Sequence, residues 1–170
     1  RFGPGVGDWL VQNLDIRQRY WMTDDQATSD LCVEAARVAL SRAGIGPEDV
    51  DLIVLATDTP DQPSPSTASV VQHVLGATRA GTFDLNAACS GFVCSMNVVH
   101  GLLMSGAYRT AAVVGADCIT RHMDFSTYGR GTSVLFGDAA SAVILRLTDD
   151  ASKGLLAQAM HSDGGGSKHL

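Results

Sequence analysis

The sequence predicts an α/β domain in which a mixed, mostly parallel sheet carries helices on both faces. Residues 50–57 form an apolar run too continuous for a strand with one solvated face, which favours a strand covered on both sides. Residues 81–87, 89–105 and 110–117 have the patterns of a strand, a helix and a second strand. That spacing is typical of a βαβ unit, whose strands run parallel and whose functional groups collect at the carboxyl ends of the strands.

The elements before this unit are predicted in chain order. Residues 1–25 are predicted to be irregular. A helix is predicted over 28–43, with Thr28 or Ser29 as its N-cap and Gly44 as its terminating residue. Its buried stripe is predicted to hold four apolar residues, Leu31, Ala35, Val38 and Ala39.

A loop and a short helix are predicted between the strand over 50–57 and the βαβ unit. Residues 58–65 hold three prolines, which favour a loop. Ser66 is predicted to start a helix that runs to Leu75, with Gly76 after it. His73 on this helix is more easily explained as a packed or surface histidine than as a catalytic one, because no partner lies near it in the sequence.

The chain after the βαβ unit is predicted to hold two further strand regions. Residues 118–132 are predicted to form a long loop, of the length that tends to be functional. Strand segments are predicted over 133–136 and 139–147, on either side of a turn. A last strand is predicted over 155–161, followed by a flexible glycine-rich exit over 162–166.

Cys89 stands at the junction of a strand and a helix and is the candidate nucleophile. The residues from 89 to 105 are apolar or small on every face, so the helix is predicted to be buried all round. In the first turn of that helix, unpaired N–H groups and the helix dipole would stabilise a thiolate, the reactive form of cysteine. Ala88 and Gly91 would let a substrate approach closely. The alternative is a structural cysteine, since cysteine is among the most buried residue types, but the strand-to-helix elbow favours function.

Composition excludes several classes of function. The chain has 170 residues, a net charge of −6, 45% hydrophobic residues and 18% charged residues, which suits one domain that buries about 70% of its unfolded surface. The sequence has no basic cluster for nucleic acid and no apolar run of about 18 residues for a membrane. It also has no signal-peptide pattern, so a cytoplasmic protein is predicted, with residues expected before Arg1.

Neither a metal site nor a disulfide is predicted. The chain has four cysteines, and they show no metal-type Cys-x-x-Cys pairing: Cys32, Cys89, Cys94 and Cys118. His122, His161 and His169 share no ligand spacing. A cytosolic setting also disfavours disulfides.

Three segments carry a resemblance to a known family. They are Asn86-Ala-Ala-Cys-Ser-Gly-Phe92, Val113-Val-Gly-Ala-Asp117 and Leu135-Phe-Gly-Asp138. In this order and at these intervals they resemble ketoacyl-ACP synthase III, a condensing enzyme of the thiolase fold, and the likeness runs over nearly all of the chain. The resemblance implies that residues 1–170 form the N-terminal half of a duplicated thiolase-like fold. The first strand and the C-terminal half are then expected to lie outside this chain.

The resemblance also implies an activity. Cys89 would take an acyl group from acyl-coenzyme A, with its backbone N–H donating to the thioester oxygen. Condensation with malonyl on acyl carrier protein, with loss of carbon dioxide, would give a 3-oxoacyl product for fatty acid or polyketide synthesis. The enzyme would be a homodimer, with no cofactor besides the coenzyme A thioester that is its substrate. A His and an Asn of the second half would stabilise the developing charge, and no block of this sequence matches theirs.

Further residues are assigned by the same resemblance. Trp9 would stack on the adenine of coenzyme A, and Arg130 would help to clamp that molecule. Asn13 stands where the family usually has a basic residue. Ser64 occupies the position of an aromatic residue that in the family often closes the acyl pocket of the partner subunit. On the alternative interpretations, Trp9 is a partly buried surface aromatic and Arg130 a solvated loop arginine.

The family turn Gly-Asp-Gly-Ala-Gly is altered in this sequence. Ala139 and Ser141 replace the two later glycines, so packing beside the Cys89 helix is expected to differ. Two other functions stay open. One is an acyltransferase that moves the acyl group to a hydroxyl or an amine, and the other is a non-catalytic partner subunit. The intact Cys89 argues against the partner subunit.

Overall fold

The structure is a computed structural model that describes residues 3–150 and 152–169. Its strands are β1 (Leu52–Ala56), β2 (Gly81–Leu85), β3 (Thr110–Cys118) and β4 (Asp138–Arg146). Its helices are α1 (Val6–Leu14), α2 (Thr28–Ala43), α3 (Thr67–Leu75), α4 (Gly91–Met104) and the single turn α5 (Arg130–Ser133). Four short 3-10 segments lie at Pro47–Asp49, Ala88–Ser90, Ile119–His122 and Gly164–His169.

The four strands form one mixed sheet in the order β2-β1-β3-β4. β1 runs parallel to both β2 and β3, and β4 runs antiparallel to β3. In the antiparallel pair Cys118 lies opposite Asp138, so the start of β4 and the carboxyl ends of the other three strands meet at one edge. This confirms the mostly parallel sheet and the βαβ unit formed by β2, α4 and β3.

Helices cover both faces of the sheet, as predicted. All five residues of β1 are buried, because α2 and α3 lie on one face and α4 on the other. On the α2 side Leu40, Ile53 and Val71 belong to one apolar cluster. On the α4 side Leu52 and Val99 belong to a second cluster. Alternate residues of β1 therefore pack in two separate apolar cores, one on each face of the sheet.

The predicted helix boundaries agree best with the structure where the sequence contains a clear capping residue. The Ser66 hydroxyl accepts a hydrogen bond from the Ser69 N–H at 3.3 Å, and Gly76 ends α3 in the left-handed region with a φ of 78°. α2 is different, because Ala27 is its N-cap and the Asp30 carboxylate accepts the Ala27 N–H at 2.7 Å. The predicted cap Thr28 instead donates its hydroxyl to the Thr59 carbonyl at 2.6 Å.

The predicted buried stripe of α2 is wrong except for Ala39. The helix buries its other apolar stripe, which includes Cys32, Val33, Ala36 and Leu40. Val38 is 50% exposed, and Leu31 and Ala35 are half-buried. Both stripes are apolar, so periodicity alone could not select the one that packs on the sheet.

The helix after Cys89 is buried on one face, and the prediction of burial all round is wrong for this chain. Its buried residues recur every four positions, at Gly91, Ser95, Val99 and Leu103, which is the spacing of a helix face laid on a sheet. Val93 is 61% exposed on the other side. Beside α4, at Asn97 and Val98, lies the irregular segment 158–160.

Four other predictions differ from the structure. Val6–Leu14 is the helix α1 although 1–25 was expected to be irregular; Arg1 and Phe2 lie outside the described residues. The Arg130–Ser133 turn and Ile119–His122 interrupt the predicted loop and the predicted strand over 133–136. Residues 155–161 are exposed and pair with no strand, so the predicted last strand is not formed. A strand needs a neighbour that can accept and donate its backbone hydrogen bonds.

Within the described residues, no helix combines the length and apolar character needed to cross a bilayer.

Candidate active site

Cys89 lies in the 3-10 turn Ala88–Ser90, between the end of β2 and the start of α4. Its side chain is exposed. Ser90 is the N-cap residue of α4, so Cys89 stands one residue before the cap. The prediction that Cys89 lies within the first turn of the helix is therefore wrong by two residues. Cys89 does lie at the predicted strand-to-helix junction, at the carboxyl edge of the sheet.

The backbone makes a sharp change of direction at this turn. Ala88 has a positive φ of 47°, which non-glycine residues rarely adopt and which costs of order 1–3 kcal/mol. The Ser90 N–H donates to the Ala87 carbonyl at 3.1 Å and closes the turn. The surrounding packing therefore holds Ala88, and with it the turn that carries Cys89, in a conformation that the local sequence alone would not select.

Two glycines allow that packing. A Cβ on Gly91 would lie 3.2 Å from the Cβ of Ala56, so the first residue of α4 touches the end of β1. A Cβ on Gly115 would lie 2.9 Å from the Phe92 ring, so the second residue of α4 packs directly on the backbone of β3. The Cys-Ser-Gly-Phe segment and the Val-Val-Gly-Ala-Asp segment are thus in contact through Phe92 and Gly115.

Cys89 borders a shallow depression of about 280 Å³. Most of its wall is backbone or a single methyl group, from Ala56, Ala88, Gly115, Ala116, Gly137 and Ala139. The larger side chains around it are Phe92, Asp117 and Ser141. The depression offers a small space with both polar and apolar walls next to an exposed thiol, which suits a group attached to sulfur.

Carboxylates at the strand ends hold the loops around this depression. Asp84 in β2 accepts hydrogen bonds from the N–H groups of Thr67 and Ala68, at 2.7 and 2.8 Å, at the start of α3. Asp117 in β3 accepts the Asp58 N–H at 2.8 Å. The proline-containing loop over 58–66 is therefore tied to the sheet at both of its ends.

Asp138 performs the same task on the other side of the depression. It is buried and accepts the N–H groups of Met22 and Thr120 at 2.9 and 3.0 Å, and the Thr120 hydroxyl at 2.6 Å. A Cβ on the preceding Gly137 would lie 2.9 Å from the Tyr20 carbonyl oxygen, so the segment before α2 crosses directly over this turn. The sequence analysis gives these three aspartates no role of their own, although each stands at or next to the end of a strand and two lie in the segments that resemble the family.

The structure does not bring the other predicted site residues into the depression. Trp9 is 52% exposed on α1, where the Asn13 amide donates to its carbonyl at 2.9 Å. Arg130 is exposed at the start of α5, and Ser64 is exposed in the loop before α3. Their predicted roles toward coenzyme A and the acyl pocket stay predictions. Ser141, by contrast, lines the depression as described above.

Of the four cysteines, all of them within the described residues, Cys89 alone is exposed. Cys94 is half-buried, and Cys32 and Cys118 are buried. Burial raises the pKa of the Cys32 thiol, and neighbouring carboxylates add to the effect. Burial also raises the pKa of Cys118. All four are free thiols.

The matches to known proteins include the three segments that carry the family resemblance. The sequence model of the family 3-oxoacyl-[acyl-carrier-protein (ACP)] synthase III matches residues 83–164, which include Cys89. The chain is 46% identical over 160 residues to the beta-ketoacyl-[acyl-carrier-protein] synthase III of Rhodospirillum centenum, covering 92% of this chain and 49% of the relative. The chain spans about half the length of the curated relatives it matches.

Solved structures agree with the sequence matches. The crystal structure of 3-oxoacyl-(acyl carrier protein) synthase III from Pseudomonas aeruginosa PAO1 superposes with a TM-score of 0.85 at 40% identity, over 94% of this chain and 49% of that chain. The priming beta-ketosynthase from the R1128 polyketide biosynthetic pathway gives 0.78 at 34% identity, over 84% and 42%. The fold, the elbow that carries Cys89 and these matches together show that the chain belongs to the 3-oxoacyl-[acyl-carrier-protein] synthase III family, with its thiolase-like fold.

Proposed function

We propose that Cys89 accepts an acyl group from acyl-coenzyme A, and that the complete protein condenses this group with malonyl on acyl carrier protein to give a 3-oxoacyl product. The observation that carries the proposal is an exposed thiol at a strained strand-to-helix elbow, beside a depression of about 280 Å³. An exposed sulfur is accessible to a thioester, and strain of this kind persists where function requires it.

The loading step is an exchange between two thioesters. The Cys89 sulfur attacks the acyl carbonyl carbon, the bond from that carbon to the coenzyme A sulfur breaks, and the thiol proton ends on coenzyme A. The carbonyl oxygen carries negative charge in between. A donor aimed at that oxygen is worth roughly 2.7–4 kcal/mol, and we assign this role to the Cys89 backbone N–H, which the fixed turn would hold in place.

The condensing step forms a carbon–carbon bond. The malonyl carboxylate leaves as carbon dioxide, and the electron pair of the broken bond attacks the acyl carbon on Cys89. The carbon–sulfur bond then breaks, and the Cys89 sulfur regains a proton as the 3-oxoacyl group leaves on the carrier protein. The His and Asn that would stabilise the charge of this step are proposed to come from a second half of the protein.

The proposed partners follow from the names of the relatives, which are acyl-carrier-protein synthases and a priming ketosynthase of a polyketide pathway. Two exposed residues on this chain, Trp9 and Arg130, would hold coenzyme A by stacking and by charge. The proposal further includes a cytoplasmic homodimer that needs no cofactor besides the thioester substrate.

Mass spectrometry of the chain after mixing with a panel of acyl-coenzyme A donors tests the loading step. We expect one acyl adduct, located on the peptide that contains Cys89 and absent from Cys89→Ala. Cys94→Ala, which removes the half-buried thiol five residues away, is the matched control and should keep the adduct. The absence of an adduct with every donor would reject the enzyme and favour a non-catalytic partner subunit. An adduct that passes to a hydroxyl or an amine, with no carbon dioxide released by the complete protein, would favour plain acyl transfer.

A further inference from the structure

A row of small residues crosses three neighbouring strands below the start of α4. In the register of the sheet, Gly115 of β3 lies opposite both Ala56 of β1 and Ser141 of β4. The first two positions of the row are covered, since Gly91 packs on Ala56 and Phe92 packs on Gly115. Ser141 is the uncovered end of the row and is exposed.

The side chain of Ser141 points to the same side of the sheet as α4. Residues directly opposite each other in an antiparallel pair share a face, so Ser141 shares the face of Gly115. Two residues along β4, Val143 packs in the apolar cluster beneath α4. The alternate residues Ala140 and Ala142 pack in the cluster on the opposite face. Ser141 therefore stands in the depression, with its side chain on the side of the reactive thiol.

We infer that Ser141 is a specificity-determining residue, which sets how wide a group can be held on the Cys89 sulfur. The two large side chains of the wall are fixed, since Phe92 rests on Gly115 and Asp117 holds the Asp58 N–H at 2.8 Å. The rest of the wall is backbone and methyl groups. A change of size at Ser141 thus alters the width of the depression and leaves the supports of the Cys89 turn in place.

The inference deepens the proposed function, because on that proposal the group held on the sulfur is an acyl chain. The test compares how fast Cys89 is loaded from acetyl-coenzyme A and from a branched acyl-coenzyme A, followed by mass spectrometry. We expect Ser141→Leu to lower the branched-to-acetyl rate ratio by about tenfold or more, since one methylene of misfit in a pocket is worth about 10–200-fold. Ser141→Ala, which keeps the side chain small, should change the ratio by less than about threefold.

Ser41→Leu supplies the matched control, because it makes the same change at an exposed position of α2. The inference is overturned if Ser141→Leu and Ser41→Leu give the same ratio. Ser141→Val replaces the Leu variant if circular dichroism shows that the Leu variant is unfolded, since a β-branched residue is favoured in a strand.

A second readout separates this inference from the proposed function. If no donor acylates Cys89, the proposed function fails, and the same variants are then labelled with N-ethylmaleimide and with the wider N-cyclohexylmaleimide. Ser141→Leu should slow the wider reagent selectively at Cys89, measured on the Cys89 peptide. An unchanged ratio of the two reagents would show that Ser141 does not limit the depression, whatever reaction the protein performs.

Discussion

Exposure divides the cysteines of this chain into thiols that can react and thiols that are packed. The two buried thiols, Cys32 and Cys118, have a raised pKa because an ionised sulfur would lose its hydration inside the protein. A thiol that stays protonated is a poor nucleophile. Cys89 is exposed, and Cys94 lies between these extremes.

The rates of alkylation should follow that division. With iodoacetamide on the folded protein, Cys89 should be modified first and Cys94 more slowly, while Cys32 and Cys118 should react only when the chain opens. A time course read by peptide mass spectrometry checks the order. In urea all four should react at similar rates, and similar rates in the folded protein would contradict the arrangement described here.

The stability of the fold should fall in alkaline solution, in part through Cys32. Its pKa is raised on folding, so the folded state holds the thiol proton more tightly than the unfolded state. The resulting stability is complete below the ordinary thiol pKa of about 8.5 and is lost as the pH rises further. Each such thiol can contribute a slope of up to about 1.4 kcal/mol per pH unit.

Urea unfolding between neutral pH and alkaline pH measures this slope. Cys32→Ala should be less sensitive to rising pH than the unchanged chain, whatever its stability at neutral pH. Cys89→Ala is the control, because it removes an exposed thiol. Identical slopes for the three proteins would show that the buried thiol has no part in alkaline unfolding.

The attachment of α4 to the sheet depends on one contact between a ring and a glycine. Because a Cβ on Gly115 would lie 2.9 Å from the Phe92 ring, Gly115→Ala should lower the free energy of unfolding by about 1–3 kcal/mol. In a Phe92→Ala background the same change should cost much less, since the ring is gone. Gly101→Ala is the control, because nothing lies within 4 Å of the added Cβ, and alanine favours a helix by about 0.5–1 kcal/mol.

A double-mutant cycle from urea unfolding gives the coupling between the two positions. Additive effects of Gly115→Ala and Phe92→Ala would contradict the contact. Gly115→Ala should also slow the labelling of Cys89 or change which reagents label it, because the Cys89 turn leads directly into Phe92.

The elements that sequence reasoning placed well are those whose signals are local. A serine cap and a terminating glycine mark both ends of α3, and a continuous apolar run identifies β1. α1 was predicted as irregular although Val6, Trp9, Leu10 and Leu14 stand at helical spacing, so this helix was predictable from its own residues. The stripe of α2 was misassigned because both candidate stripes are apolar, and only the packed sheet distinguishes them.

The candidate site was predictable only in its local part. The elbow and its cysteine follow from neighbouring residues, and the structure places Cys89 at that junction. The carboxylates that hold the loops join residues far apart in sequence: Asp138 and Met22 are 116 positions apart, and Asp117 and Asp58 are 59 apart. No spacing rule connects such pairs before the topology of the sheet is known.

The molecule as a whole presents apolar surface beyond its two cores. Val93 and Met104 of α4 are 61% and 66% exposed, and Val38 of α2 is 50% exposed. A groove of about 650 Å³ runs between α4 and the end of β4. Surface of this kind marks sites of contact with another layer or another chain, in keeping with a chain that spans about half the length of its relatives.

Residues 1–170 by themselves should load an acyl group without condensing it, because the His and Asn of the condensing step are proposed to come from a second half of the protein. The expected result is an acyl adduct on Cys89 with no release of carbon dioxide from malonyl-carrier protein above the Cys89→Ala background. A complete relative of the family, assayed beside it, is the positive control. Turnover near that of the complete enzyme would show that this chain supplies its own groups for decarboxylation. It would contradict the proposal that these groups come from a second half of the protein.

The central position of β1 has a consequence for hydrogen exchange. Its neighbours on both sides are strands, its faces are covered by helices, and its five residues are buried. Its amide protons should thus exchange with solvent only when the entire chain unfolds, and their protection should report the global free energy of unfolding. Its last residue, Ala56, also borders the Cys89 depression, so an acyl group that stabilises the folded state should slow deuterium uptake along β1 without touching most of that strand.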